Sequence, residues 1–244
     1  MNSNIELSEN FPGHSKATVF LETLIFENNI QNVADIGGGA NPLLSEKFVK
    51  KRHLNYTLLD ISQEELDKSP SNYTQKIQMD ATVNLVDFSK SIDEGAYELV
   101  FTHMFLEHIE FPLKLHKNVF HFLKTGGYAV HMYPSPCNFP LTINRLLPDF
   151  LSKILVRIAQ PDRDLVGFKG KFKAYYKLCG NPSLKLKRAF EEIGYEVITH
   201  KAYIGHCYYD RYLLTRYMER MLRPILLKLG IPMTSLVFLM LKKP

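Results

Sequence analysis

Residues 32–42 read NVADIGGGANP, and they hold the first side chain placed for ligand chemistry, Asp35. A short apolar run leads into the acid, and Gly37, Gly38 and Gly39 follow it. Glycines let a ligand approach the backbone, and the free N–H groups of a helix start attract negative charge. A loop that cradles a dinucleotide pyrophosphate wants G-x-G-x-x-G, and Pro42 takes the third glycine's place. A carboxylate two residues before the first glycine instead suits a cationic amino group. Asn41-Pro42 reads as the cap and opening of the next helix.

Two further acids share this position. Asp60 closes the apolar run YTLLD, and Asp80 closes IQMD. His103 and His131 fall near the ends of two later apolar runs, and histidine is the residue type whose unperturbed pKa suits general-base work; Tyr133 is a candidate to orient them. Cys137, Cys179 and Cys207 lie far apart with no C-x-x-C, so neither a disulfide framework nor a metal site is expected.

The elements that must position these groups alternate. Helical spacing is expected over 16–28, 43–51, 63–68 and 111–123, and strands over 32–37, 56–61, 76–80, 97–103 and 128–133. Such alternation predicts an α/β fold with a parallel sheet covered on both faces, and ligands bind at the carboxyl edge of such sheets. Asp35, Asp60 and Asp80 all arrive at that edge. Residues 134–180 break the rhythm with five prolines and a lysine run, and read as an insertion with short helices such as 151–159. A helix over 183–193 and a strand over 195–202 resume the pattern. An amphipathic stretch over 208–229 is interrupted at Pro224, and a final buried strand covers 235–241.

Taken in order, these pieces resemble the class I methyltransferases that use S-adenosylmethionine. The resemblance covers 30–133 and resumes at 183–205 and 234–243. Its first motif stands as Asp35-Ile36-Gly37-Gly38-Gly39, its second acid as Asp60 and its third as Asp80. THMFLEHI (102–109) is similar to the family's x-x-L-E-H-I, and TGGY (125–128) fits the turn before the fifth strand. Asn41 stands where many members have a third glycine. The resemblance implies a Rossmann-like, seven-stranded, mostly parallel sheet with helices on both faces. The last strand would be antiparallel and inserted between its neighbours. Residues 1–244 would form one domain, with 15–133 the cofactor-binding half, 134–180 and 206–233 a helical substrate-side lid, and 234–244 the final strand.

The resemblance also implies roles. Gly37, Gly38 and Gly39 would admit the methionine part of the cofactor, with Asp35 bearing on its ammonium. Asp60 would accept the ribose hydroxyls and Asp80 the adenine amino group, with Ile61, Met79 and Ala81 at the ring faces. His103 and Met104 would line the methyl end. Methyl transfer is an in-line displacement, and only a hydroxyl or carbon acceptor needs a base, for which His103 and His131 are the candidates. The segments that mark metal-dependent catechol transfer or adenine amino-methylation are missing after the fourth expected strand, and Cys137 reads as incidental.

Composition bounds the acceptor. Residues 1–133 carry 11 Lys/Arg and 17 Asp/Glu, while 134–244 carry 19 and 8. The basic half favours an acidic acceptor, with Tyr133, Lys171, Tyr175 and Tyr176 as candidate contacts. The proline-rich connector with NRLLP and KFKAYY is similar to methyltransferases associated with cell-surface polysaccharide assembly. The leading expectation is transfer to a small-molecule, glycan or lipid-linked acceptor. Carbon methylation of a quinone or lipid is one alternative, and a nucleotide-binding regulatory protein without transfer is another. Nucleic acid is disfavoured as a partner. Residues 208–229 either touch an anionic membrane or pack on the domain or a second subunit. With no leader pattern and no apolar run of membrane-spanning length, a cytoplasmic location is expected.

Overall fold

The computed structural model describes residues 4–13, 16–70, 72–88, 92–137, 174–205, 213–229 and 233–244. Lys171, the helix expected over 151–159 and most of the expected lid lie outside them. The strands are β1 (Ile5–Leu7), β2 (Asn32–Ile36), β3 (Asn55–Asp60), β4 (Gln75–Gln78), β5 (Tyr97–His103), β6 (Leu123–Pro134), β7 (Glu196–Ile204) and β8 (Thr234–Lys242). The helices among the described residues are α1 (Ala17–Glu27), α2 (Glu46–Arg52), α3 (Gln63–Lys68), α4 (Leu85–Phe88), α5 (Pro112–Phe122), α6 (Leu184–Glu191) and α7 (Leu213–Lys228).

The strands form one sheet in the order β1-β7-β8-β6-β5-β2-β3-β4. β8 runs antiparallel to both of its neighbours, β6 and β7; every other pairing is parallel. This is the expected Rossmann-like architecture. β1 adds an eighth strand at the β7 edge, where Ile5 faces Ala202 and Lys201 pairs with Glu6. The strand order reverses between β2 and β5, which opens a crevice beyond the carboxyl ends of β2, β3 and β5.

The two-residue period of the strands splits the core. Val33, Leu58, Leu99, Phe101, Val130 and Met132 face the layer that holds Leu21 and Ile25 of α1, Val49 of α2 and Leu66 of α3. Ala34, Leu59, Val100 and Ala129 face the other layer, with Leu115, Val119 and Phe122 of α5 and Phe190 of α6. The spacing Leu115, Val119, Phe122 is a helical stripe, which is why α5 lies flat on the sheet.

Three local expectations are corrected. α2 begins at Glu46, and its N-cap is Ser45, whose Oγ accepts from Phe48 N at 3.3 Å. Asn41-Pro42 instead belongs to the loop: Asn41 N donates to Gly38 O at 2.9 Å, closing a tight turn. α7 runs through Pro224 without ending. Proline frees the carbonyl four residues earlier, and Arg220 is exposed, so water can take the freed oxygen. The TGGY segment is absorbed into β6, where the register with β5 shifts between Tyr97 and Leu99.

Candidate functional site

Asp35 is the penultimate residue of β2, and its side chain is 1% exposed. Tyr56, at the start of β3, donates its phenol to Asp35 Oδ2 at 2.7 Å, and Leu43 N–H bonds the same carboxylate. Tyr56 is held between Phe101 and Tyr73, with ring centroids 6.4 and 6.5 Å away. Burial pushes the Asp35 carboxyl up to about 7; the Tyr56 and Leu43 bonds oppose this, and the nearby Asp60 charge adds to it.

The glycine loop is shaped by the protein's own side chains. A Cβ on Gly38 would lie 2.6 Å from the Asp35 carboxylate. One on Gly39, whose φ is +43°, would come within 3.1 Å of Asp60 Oδ2. One on Gly37, at φ +79°, would enter the Phe105 ring at 2.2 Å. The three glycines therefore let two acids and an aromatic ring close around one turn.

Asp60 ends β3, and its Oδ1 accepts from Ser62 N at 2.9 Å. It is half-buried, and that burial raises its carboxyl pKa. The cap of α3 is Ser62, not Asp60, because Ser62 Oγ takes Glu65 N at 3.3 Å. Ile61 beside it is 66% exposed, an apolar lip with no core to join. Asp80 stands two residues past β4, and its Oδ1 accepts from both Thr82 N and Thr82 Oγ1 at 2.8 Å. Met79 N donates to Asp60 O at 2.8 Å, which brings these two acid-bearing segments side by side. Asn118 of α5 donates to the carbonyls of Ala81 and Val83 at 2.9 Å each and fixes that loop from behind.

β5 ends at His103, half-buried, and Met104 follows in a left-handed turn at φ +52°, with its N–H on Met132 O at 2.8 Å. This places His103 and Met104 at the same edge as the glycine loop. His131 and Tyr133 are not brought there. Both are fully buried in the layer beneath α5 and α6. His131 Nδ1 meets Thr102 Oγ1 at 2.9 Å, its ring lies edge-on to His116 at 5.0 Å, and burial holds its pKa well below the ordinary value. Tyr133 donates to Gly180 O at 3.2 Å. Tyr175 and Tyr176 lie beside the LEH turn after β5: their backbone N–H groups bond Glu107 O at 2.7 and 3.2 Å, and the Tyr176 side chain packs against the core.

Tyr56, Phe105 and Glu107 near the site were not singled out from the sequence, and Lys177 only as a member of its lysine run. Tyr56 has a signal in hindsight: a phenol in a strand buried on both faces needs a polar partner. Phe105 covers Gly37. Lys177 lies over the rings of Phe111 and Tyr175, with Nζ 5.7 and 5.6 Å from their centroids, and sets a cation at the rim. Glu107 is 4% exposed, its Oε2 has no hydrogen-bond partner among the described residues, and burial raises its carboxyl pKa to about 7.

A family described as a methyltransferase domain matches residues 14–221. No curated protein matches the sequence. A SAM dependent methyltransferase from Archaeoglobus fulgidus shares the fold with a TM-score of 0.53 at 14% identity, covering 97% of each chain. The [4+2]-cyclase SpnF does so at 0.53 and 13%, covering 97% of this chain and 86% of its own. Phosphoethanolamine N-methyltransferase 2 from Haemonchus contortus, in complex with phosphomonomethylethanolamine and S-adenosylhomocysteine, scores 0.55 at 14%, covering 92% of this chain and 53% of its own. At these identities the likeness is one of fold, and the cyclase shows that the fold alone does not dictate methyl transfer.

Asp35 and Glu107 both bind their protons more tightly folded than unfolded. The stability each contributes is fully present below about pH 4 and is lost as pH rises through about 7. Asp35→Asn is expected to flatten this fall. Urea midpoints of wild type and variant at acid, neutral and alkaline pH test it, and parallel curves would exclude Asp35 as a source.

Proposed function

Since the chain belongs to the methyltransferase-domain family, we propose that it transfers a methyl group from S-adenosylmethionine to a small-molecule, glycosyl or lipid-linked acceptor with an acidic group. The observation that carries this reading is the closure of one glycine turn around two carboxylates, Asp35 behind Gly38 and Asp60 against Gly39, at the point where the strand order reverses. When bound, the cofactor supplies an electrophilic methyl on a sulfonium, so the protein's work is approach, orientation and exclusion of water.

The residues present fit that cofactor. Asp60 is half-buried at a strand end with an exposed apolar neighbour, Ile61, which suits a hydroxylated ring carrying a flat base. Asp60 accepts from the ribose hydroxyls, and Asp80 accepts from the adenine amino group while Thr82 steadies it. Ile61, Met79 and Ala81 flank the base. Gly37, Gly38 and Gly39 bring the backbone to the methionine part, and Asp35 sets a negative charge behind them for the ammonium. His103 and Met104 line the methyl end. Where the acceptor is a hydroxyl, His103 takes its proton; His131 lies too deep beneath α5 for that contact. Tyr175 and Tyr176 form the acceptor's flank.

An acidic acceptor is supported by the Lys177 ammonium at the rim and by the cationic excess of residues 134–244. The phosphorylated ligand of the Haemonchus neighbour is in line with it.

Calorimetric titration with S-adenosylmethionine tests the cofactor, and a search of cell extracts for a compound heavier by one methylene tests transfer. Absence of binding would overturn both. Asp60→Ala is expected to weaken cofactor binding by about 2–3 kcal/mol, because a charged hydrogen-bond partner is lost. Unchanged affinity would remove Asp60 from the site. An ammonium beside Asp35 favours its ionised form, so cofactor affinity should rise as pH climbs through about 7, and Asp35→Asn should erase that slope. Isotherms in two buffers of different ionisation enthalpy would show the released proton. For a hydroxyl acceptor, His103→Ala is expected to lower turnover by about 100-fold or more with little change in cofactor affinity. Full turnover would place the base elsewhere.

A further inference from the structure

Helix α7 turns most of its apolar residues outward. Arg216, Glu219 and Arg223 share its less exposed side with Leu226 and Leu227. Arg223 donates from Nε and Nη2 to the Glu219 carboxylate at 2.8 and 2.6 Å. The same guanidinium reaches the end of β7, where a Cβ on Gly205 would sit 3.0 Å from both Arg223 Nη2 and Ser8 Oγ. The outward side carries Leu213, Tyr217, Met221 and Ile225 at four-residue steps, with Met218 and Leu222 beside them, each between 43% and 80% exposed. A helix on the surface of a globular domain has the opposite arrangement, apolar stripe inward.

We propose that this outward face docks on an anionic lipid surface, with the helix axis in the membrane plane. Charge selects this occupant. α7 carries Arg216, Arg220, Arg223 and Lys228 against one acid, Glu219, and Arg223 engages that acid. Arg220 and Lys228 are exposed on the side that bears the apolar residues. Pairing of two copies through this face would set cations against cations, with no exposed carboxylate on the helix to separate them. Anionic headgroups supply the missing charge, while the leucine, isoleucine and methionine side chains enter the acyl boundary. At the helix start, Leu213, Arg216, Tyr217 and Arg220 line a hollow of about 580 Å³, where the exposed Arg220 guanidinium suits a phosphate headgroup. At 16 residues α7 spans about 24 Å, and no helix among the described residues is long and apolar enough to cross a membrane, so α7 lies on the surface. The docking does not depend on the transfer reaction.

Flotation of the full chain with vesicles tests it, comparing phosphatidylcholine alone with two parts phosphatidylcholine to one part phosphatidylglycerol. Partition to the mixed vesicles is expected to be at least about tenfold stronger and to fall with added salt. Met221→Glu with Ile225→Glu should remove it with circular dichroism and melting temperature unchanged. Arg220→Glu with Lys228→Glu keeps the apolar face and should weaken only the preference for anionic vesicles, so it serves as the test should the first pair fail to fold. Equal partition to both vesicle types, no partition at low salt, or a dimer in sedimentation that Met221→Glu dissolves would overturn the proposal.

Discussion

The carboxylate of Asp35 sits out of water between the Tyr56 phenol and the Leu43 peptide, and any side chain at Gly38 would collide with it. Much of the candidate site follows from accommodating that group. The turn after β2 must be glycine-rich to fold back over it. Tyr56 must stand at the head of β3, braced by Phe101 and Tyr73, to give it a proton donor. Register then carries β3 on to deliver Asp60 beside Gly39. A charge set behind a turn costs desolvation when the turn is empty and gains a partner when a cation lies in front. Ligand affinity and the stability of the empty fold are thus opposed at this residue.

The other face of the sheet has a different polar economy. His116, His131 and His200 are all held below the ordinary imidazole pKa by burial, so they pack as neutral rings. His116 stacks edge-on against both His131 and Phe190, and Tyr133 bridges toward Gly180 and His200. This cluster joins α5, α6 and the segment before α6 into one layer. Through Tyr133 and Glu107 it ties the Tyr175–Gly180 segment to the sheet. Aromatic and imidazole packing, not ion pairing, positions that segment.

The sequence made the alternating elements legible because each inner strand is a short run of Val, Ile and Leu bounded by turns, and the three acids punctuate their ends. Contacts between distant residues were not legible. β1 is three residues long and takes its place from pairing with β7, which no local pattern announces. The helix after β2 looked capped at Asn41 because Asn-Pro imitates a helix start, whereas the turn there bonds back onto Gly38. His131 falls near a strand end, yet the two-residue period turns it under α5; distance from the strand end gave one answer and parity another. The face of α7 was open between domain and membrane because periodicity shows that a helix has two sides, not which one turns outward.

β1 has a consequence for how the chain is made. Its partner β7 lies about 195 residues later, as the Glu6–Lys201 pair marks, and β7 reaches the rest of the sheet only through β8. At about 5–20 residues per second, a nascent chain carries β1 without a partner for about 10–40 s. The strands from β2 to β6 can meet in that time, but the edge that receives β8 stays open until the antiparallel strand arrives. β1 and the open edge of β6 therefore both wait, unpaired, until β7 and β8 have been made.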